Sequence, residues 1–291
     1  MDPFDCFNDS HLLHYQYIFN IFQHYHGRVK HFDIRSPEEY RLIHLPLSVL
    51  IPFEILVPKV TLSDISKITD TTKLRRQCIV ISFSLSYLPQ AEILRKILLR
   101  NKCKEIHMLR DVEEFMLNYP FLIDGPRVKE YPNEIIPNFL YLGSEEQAHN
   151  PHIIQNLKIT HIVNATKNGA NKFSNLKYCK VTVVDQEDEK ICRFFQKAYD
   201  FIESAMHENQ LGANNVVMVH CALGVSRSAT IVVMFLMRTF GLSLENAMKF
   251  LKKQRNKVEP NPGFLKQLED FYENKFKFNK TYTGNQLKKL E

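Results

Sequence analysis

The chain has 291 residues and a net charge of +6, with 44% hydrophobic and 24% charged residues. This composition is typical of core-forming globular proteins and excludes collagen-like, low-complexity and disulfide-scaffold classes. At about 150 residues per domain, the length predicts two domains. No apolar run is long enough to span a membrane, and the first residues lack the pattern of a signal peptide.

The cysteines and the basic residues indicate the compartment of the protein and the partners that it is not expected to bind. The six cysteines form no C-x-x-C pair, so we expect free thiols and neither a zinc site nor a disulfide framework. Free thiols are typical of proteins in a reducing compartment, so we expect a cytoplasmic protein, with a nuclear location left open. The densest basic cluster is interpreted as the solvated face of an amphipathic helix: Lys249, Lys252, Lys253, Arg255 and Lys257. Neither nucleic acid nor a membrane is therefore expected as a partner.

The first part of the chain alternates predicted helices and strands. A helix with Ile18, Ile21, Phe22 and Tyr25 on one face ends at Gly27. A strand at 29–33 follows, and then Ser36 and Pro37 predict the start of a second helix. The next predicted elements are a strand at 78–81, a helix at 89–99, a strand around 106 and a helix at 112–117. Such alternation predicts a mostly parallel sheet.

A segment rich in proline and glycine then predicts a linker, because Pro120, Gly125, Pro126 and Pro132 lie close together. The α/β pattern resumes after it. Its predicted strands are 135–136, 139–142, 161–164, 177–184 and 216–219, and its predicted helices are 194–206, 229–240, 244–255 and 263–275. The strand at 216–219 and the helix at 229–240 are almost wholly apolar, so both are expected at the centre of the fold.

The loop between that strand and that helix carries the chemistry: His220-Cys221-Ala222-Leu223-Gly224-Val225-Ser226-Arg227-Ser228. Loops at the carboxyl ends of parallel strands bind ligands in α/β folds. The backbone N–H groups of this loop can converge on an anion, and the helix dipole adds roughly half a positive charge. Gly224 allows close backbone approach, and the planar guanidinium of Arg227 matches phosphate oxygens. We expect Cys221 to be a thiolate of lowered pKa and a phosphoryl-accepting nucleophile.

The loop therefore predicts a phosphate site and a catalytic group together. The predicted phosphate-binding residues are Ala222, Leu223, Gly224, Val225, Ser226 and Arg227. No cofactor or metal is expected, because the loop amides and Arg227 supply the positive field. Two roles stay open. Ser228 hydrogen-bonds the Cys221 thiolate, caps the helix, or does both, and His220 either orients the loop and tunes the thiolate or is an ordinary core histidine.

This loop resembles the H-C-x5-R-S signature of the protein tyrosine phosphatase superfamily. Three nearby stretches are similar to the dual-specificity phosphatases: Y-L-G-S at 141–144, I-T-H-I-V-N at 159–164 and V-E-P-N at 258–261. The resemblance covers about residues 131–277. Leu223 departs from the pattern, since close relatives usually carry alanine there, and it predicts a bulkier rim.

The resemblance also implies a general acid that protonates the leaving oxygen, a contribution of about 10²–10⁴ in rate. In this family it is an aspartate that follows an apolar strand and precedes a helix with paired aromatic residues. Asp185 fits that position, directly after Val184. Asp188 is the alternative, and Glu187 and Glu189 are weaker ones.

The front of the chain resembles a second family. Residues 29–41 are similar to the D-x-R-S-x-x-E-Y segment of rhodanese-like domains, and 44–46 to their H-I-P turn. In active rhodaneses the loop after the strand predicted at 78–81 presents a catalytic cysteine. Here residues 82–86 read Ser-Phe-Ser-Leu-Ser, so we do not expect sulfur transfer.

Together these patterns predict an α/β protein of two domains. We expect a rhodanese-like parallel-sheet domain at 10–118, a linker at 119–133, a dual-specificity phosphatase domain at 134–278 and a flexible tail at 279–291. This arrangement resembles the mitogen-activated-protein-kinase phosphatases and, more closely, an inactive relative that lacks the nucleophile.

The implied function is hydrolysis of phosphotyrosine and phosphoserine/threonine in proteins through a phospho-cysteine intermediate. The alternative is a slow or inactive phosphatase-like scaffold that binds phosphoproteins. A phosphoprotein substrate is expected in either case. A MAP-kinase-like partner is left open, because the stretch 51–62, where the kinase phosphatases carry arginines, has only Lys59 as a basic residue.

Overall fold

The computed structural model describes residues 10–25, 28–123 and 130–275. The chain divides into two compact units, a front unit of Tyr25–Lys129 and a main unit that joins Met1–His24 to Glu130–Glu291. Among the helices of these described ranges, none is long and apolar enough to cross a membrane. The predicted helix end at Gly27, the middle of the predicted linker and the predicted tail at 279–291 lie outside the described residues.

The first helix, α1 (Ser10–His24), belongs to the main unit, which corrects the domain boundary expected from the sequence. Asn20 of α1 donates from Nδ2 to the backbone carbonyl of Glu134 at 2.7 Å and accepts from the Glu134 backbone N–H at 2.9 Å. Gln16 donates to the same carbonyl at 3.0 Å. Apolar spacing predicts that a helix is buried, but it does not specify the sheet that buries it.

The front unit contains a parallel sheet, as the alternating pattern predicted. Its strands lie in the order β2–β1–β3–β4: β1 (Val29–Asp33), β2 (Val49–Leu50), β3 (Cys78–Phe83) and β4 (Ile106–Arg110). Its helices are α2 (Pro37–Leu42), α3 (Leu62–Ser66), α4 (Leu88–Arg100) and α5 (Val112–Asn118). The prediction missed β2 and α3 because each is too short to show a period.

Polar residues after β1 hold the start of α2. Ser36 accepts from the Glu39 backbone N–H, and the Glu39 carboxylate accepts from the Ser36 N–H, which forms a capping box. Arg35 is fully buried and pairs with Asp33 at 2.7 Å and Glu113 at 2.6 Å. The D-x-R-S pattern is therefore accounted for by a buried ion pair and a helix cap within the front unit.

The main unit contains a five-stranded sheet in the order β5–β6–β9–β7–β8. The strands are β5 (Asn133–Ile136), β6 (Leu140–Ser144), β7 (His161–Asn164), β8 (Lys177–Lys180) and β9 (Val217–Cys221). Only the β5–β6 pair is antiparallel among the described strands. The helices are α6 (Glu145–Ala148), α7 (Pro151–Asn156), α8 (Phe195–Gln210), α9 (Arg227–Phe240), α10 (Leu244–Gln254) and α11 (Pro262–Lys275).

The predicted central strand and helix are β9 and α9. Every residue of β9 is buried, and α9 is buried on nearly its whole circumference, so both lie in the middle of the core. Gly241, with φ of +66°, ends α9 in the left-handed conformation that glycine adopts without steric cost. The core of the unit forms around these two elements and carries the loop that joins them.

The strand predicted at 177–184 is shorter than expected, because β8 ends at Lys180. Val181 and Val183 are nevertheless fully buried. The backbone N–H of Val183 donates a hydrogen bond to the Val181 carbonyl at 3.0 Å. Alternating burial therefore continues after strand pairing has stopped. This non-strand segment leads directly to Asp185.

We expect Asn20→Ala to lower the free energy of unfolding of the main unit by about 1–3 kcal/mol, because it leaves buried backbone groups of Glu134 without this partner. Denaturant unfolding of the full chain, followed by circular dichroism, measures the loss. Asn246→Ala, at an exposed position of α10, is the matched control and should change stability by less than about 0.5 kcal/mol. Equal small losses in both variants would contradict the assignment of α1 to this unit.

Candidate active site

The loop between β9 and α9 is built around one glycine. Gly224 has φ of +71°, which L side chains rarely adopt, and a Cβ there would lie 2.5 Å from the Gly143 carbonyl oxygen on β6. The backbone of the loop therefore approaches β6 more closely than any side chain would allow. Cys221 is the last residue of β9, before this loop, and Arg227 is the first residue of α9, after it.

The Cys221 sulfur is buried and surrounded by donors. Its Sγ accepts from the Gly224 backbone N–H at 3.3 Å and from the Ser228 hydroxyl at 3.1 Å. Burial by itself would raise the pKa of Cys221. The hydrogen bonds from Ser228 and from the Val225 backbone, with the positive charge of Arg227, outweigh burial and lower the pKa below its usual value. The thiolate expected from the sequence is therefore favoured by the geometry.

Arg227 lies beside this sulfur with its side chain mostly buried. Its Nη1 donates to the Val183 carbonyl at 3.4 Å, and its Nε lies 3.5 Å from Oδ2 of Asp185. Within the part of the chain that the structure describes, Nε makes no hydrogen bond. The guanidinium is thus anchored at one end and keeps donor capacity for an anion.

Asp185 is held at the loop by two donors. The Ser226 hydroxyl donates to Oδ1 at 2.6 Å, and Nδ2 of Asn261 donates to the same oxygen at 2.9 Å. Asn261 also donates its backbone N–H to the Ser226 hydroxyl at 3.1 Å. The structure therefore brings Asp185 to the loop. Asp185 and Asp188, the alternative acid, are both exposed, but Asp188 makes no hydrogen bond or ion pair with the loop among the described residues.

The two residues with open roles are both buried. Ser228 donates to Cys221, and the cap position of α9 is occupied by Ser226 instead, whose side chain makes no capping bond. Burial and the neighbouring His149 lower the pKa of His220 to about 4. The His220 ring is therefore neutral near pH 7, and it does not contribute a full positive charge to the thiolate.

Arg255 is a residue of this site that the sequence analysis misplaced. It is fully buried, whereas the basic cluster to which it belongs was interpreted as a solvated face. Helix α10 ends at Gln254, so Arg255 is outside the helical period that supported the interpretation. Lys252 and Lys253 are exposed as expected. Burial lowers the pKa of Arg255 to about 10, so the guanidinium stays protonated near neutral pH.

The Arg255 guanidinium orients two peptide groups of the loop. Its Nε donates to the Gly224 carbonyl at 2.9 Å, its Nη2 to the Leu223 carbonyl at 3.2 Å, and its Nη1 to Asn133 Oδ1 at 2.5 Å. In a planar trans peptide the carbonyl and the following N–H point in opposite directions. The Gly224 N–H consequently donates to the Cys221 sulfur, and the Val225 N–H favours the charged form of Cys221.

We expect Ser228→Ala to raise the pKa of Cys221 by about one to two units, since a hydrogen bond to a charged group is worth roughly 1.5–3 kcal/mol. The alkylation rate of Cys221, measured by peptide mass spectrometry across pH, should then reach its midpoint at higher pH. Ser204→Ala, on the exposed side of α8, is the control and should leave the midpoint in place. An unchanged midpoint in Ser228→Ala would contradict the stabilisation described above.

Arg255→Met should raise the pKa of Cys221 as well, and it should lower the free energy of unfolding by about 2 kcal/mol or more, because two buried acceptors and one partly buried acceptor lose their donor. The same alkylation profile and a denaturant titration measure the two effects. Lys253→Met, two residues earlier and exposed, should change neither. If Arg255→Met loses stability but the pH dependence of Cys221 alkylation does not change, Arg255 contributes to packing and does not affect the thiolate.

A comparison with protein families matches the part of the chain that contains this loop. Residues 140–274 match the family model described as dual specificity phosphatase, catalytic domain. A Slingshot homolog protein phosphatase of Xenopus laevis is 36% identical over 164 residues, which are 56% of this chain and 23% of that protein. A probable rhodanese domain-containing dual specificity protein phosphatase of Dictyostelium discoideum is 32% identical over 192 residues, which are 62% of this chain and 39% of that protein.

Among solved structures, the crystal structure of DUSP15 is 30% identical, with a TM-score of 0.45, and the match covers 48% of this chain and 86% of that one. The chain spans less than half the length of the two curated relatives above. The match to the family model begins at β6 and ends within α11, so it includes the loop, Asp185 and Arg255. Residues 140–274 form a dual specificity phosphatase catalytic domain.

Proposed function

We propose that this chain is a cysteine-dependent protein phosphatase that hydrolyses phosphotyrosine and phosphoserine/threonine through a phospho-cysteine intermediate. The observation that carries the proposal is the state of Cys221. A sulfur buried at the end of a parallel strand, hydrogen-bonded by Gly224 and Ser228, has a lowered pKa. Such a thiolate is a nucleophile, and Arg227 beside it is suited to a phosphate dianion.

In the first step the Cys221 sulfur attacks phosphorus, so that an S–P bond forms as the bond from phosphorus to the leaving oxygen breaks. Arg227 and the loop N–H groups hold the three equatorial oxygens and stabilise the charge that spreads over them. Asp185, in its protonated form, gives its proton to the leaving oxygen. Ser226 and Asn261 support this role, because both position the Asp185 carboxyl.

In the second step a water oxygen attacks the phospho-cysteine and the S–P bond breaks. Asp185, now a carboxylate, takes a proton from that water, and inorganic phosphate leaves. The sulfur departs as a thiolate, to which the Ser228 hydroxyl donates a hydrogen bond. Neutral His220 takes no proton in this scheme, and its place next to Cys221 in β9 suits a positioning role.

The substrates we propose are phosphoproteins. The front unit would position these substrates or a partner. It resembles a rhodanese-like domain, but its loop 82–86 contains no thiol for sulfur transfer, so a binding role suits it better than a catalytic one. A MAP-kinase-like partner is the finer proposal, and the single basic residue of 51–62 weakens it. The described cysteines are free thiols, which supports a reducing compartment such as the cytoplasm.

A second candidate function is a scaffold that binds phosphoproteins with slow turnover. The observation that favours it is Leu223, which is 70% exposed on the loop. An apolar side chain at this rim can contact residues that flank a phosphorylated side chain and add binding energy. It can also restrict access to Cys221, which would slow the chemistry.

Phosphate release from two aryl phosphates, one with a good and one with a poor leaving group, tests the enzyme proposal. We expect the parent to hydrolyse both and Cys221→Ser to hydrolyse neither above background. Asp185→Asn should lower kcat by about 10²–10⁴ for the poor leaving group, which needs the proton, and less for the good one. Asp188→Asn is the matched control and should behave like the parent.

Phosphopeptides extend the same experiment to the substrate class. Turnover of peptides that contain phosphotyrosine and of peptides that contain phosphothreonine would support dual specificity. A parent that is no faster than Cys221→Ser overturns the enzyme proposal. If that parent still binds phosphopeptides, and Arg227→Met does not, the scaffold is the function that remains.

A further inference from the structure

Three metal-ligating side chains of different chemistry lie together in the front unit, which does not contain the loop described above. They are Cys78 at the start of β3, His107 in β4 and Glu105 immediately before β4. One ligand atom from each lies within 4.8 Å of the ligand atoms of the other two. We propose that Cys78, Glu105 and His107 form a binding site for Zn²⁺.

The parallel sheet places the three side chains on one face. Pairing of β3 with β4 sets Val80 opposite His107. Side chains alternate between the faces of a sheet, so Cys78 shares the face of Val80 and Glu105 shares the face of His107. Cys78 and His107 belong to strands of the sheet. The backbone of Glu105, just before β4, accepts a hydrogen bond from the Ile79 N–H at 2.9 Å. Such a site requires no ordering of a loop when the ion binds.

The donor set is one that Zn²⁺ prefers: a cysteine sulfur, a histidine nitrogen and a carboxylate oxygen. Tetrahedral Zn²⁺, with bonds of about 2.0–2.3 Å, holds its ligand atoms roughly 3.5 Å apart, so small side-chain rotations close the observed spacing. Nε2 of His107 already lies 3.6 Å from Oε1 of Glu105. Tyr25 donates its hydroxyl to that same oxygen at 2.6 Å and thereby orients the carboxylate.

Access and charge also fit a bound cation. The Cys78 side chain is buried, that of His107 is 14% exposed and that of Glu105 is 38% exposed, so the cluster opens to solvent on the Glu105 side. Water can supply the fourth ligand from there. As the S–Zn bond forms, the Cys78 thiol releases its proton to solvent. The thiolate and the carboxylate then balance the two positive charges of the ion, and the imidazole stays neutral.

The sequence contains no signal for this site, because its ligands come from two strands that are separated by α4. The expectation that no zinc site exists rested on the absence of a C-x-x-C pair, which tests only for ligands close in sequence. The proposal concerns the front unit alone and does not depend on the phosphatase reaction.

The test is Zn²⁺ binding to the full chain in a background that carries Cys221→Ser and Cys192→Ser, which removes the proposed nucleophile and the one thiol that is exposed among the described cysteines. Competition with a chromophoric chelator should show one equivalent of bound Zn²⁺. Cys78→Ser should weaken binding at least about 100-fold, and His107→Gln should weaken it comparably. Co²⁺ in place of Zn²⁺ should give a thiolate-to-metal charge-transfer band that Cys78→Ser abolishes.

Cys103→Ser is the matched control, since it removes another buried thiol of the front unit and should keep both the affinity and the band. Circular dichroism checks that each variant is folded, and if Cys78→Ser is not, His107→Gln and Glu105→Gln provide the same test. The proposal is wrong if the background protein binds no Zn²⁺ tightly enough to compete with the chelator. It is also wrong if the ligand variants bind as the Cys103→Ser control does.

Discussion

The site in the main unit depends on the buried guanidinium of Arg255. By donating to the carbonyls of Leu223 and Gly224, it turns two successive peptide groups so that their N–H groups face the Cys221 sulfur. The cost of burying an arginine is offset because its donors meet three acceptors, two of which are loop carbonyls. Gly224 is part of the same constraint, since no other residue fits between this loop and β6.

The pKa of Cys221 is set by several opposing interactions rather than by one contact. Burial opposes the thiolate, while Ser228, two backbone N–H groups and Arg227 favour it, and the balance lowers the pKa. His220 is not one of the favourable charges, because its own burial keeps it neutral. Asp185 is brought to the same place by Ser226 and Asn261, which come from the loop and from the start of α11. Three segments distant in sequence thus meet at the loop.

Buried polar contacts hold local structure in each unit. In the front unit the resemblance to rhodanese-like domains is explained by a buried ion pair at Arg35 and a capping box at Ser36. In the main unit, α1 binds the edge of the sheet through Asn20, which also donates to Gln254 next to Arg255. The first helix is therefore connected, through buried amides, to the residue that orients the loop.

The sequence alone determined what is local: the alternation of strands and helices, the buried β9 and α9, and a loop whose cysteine, glycine and arginine lie within seven residues. Those residues meet because the backbone between them is short. Only the tertiary structure decided what joins distant segments, namely the unit to which α1 belongs, the burial of Arg255 and the cluster of Cys78, Glu105 and His107. A side-chain pattern shows that a face is buried or charged, but its partner is specified by packing between segments.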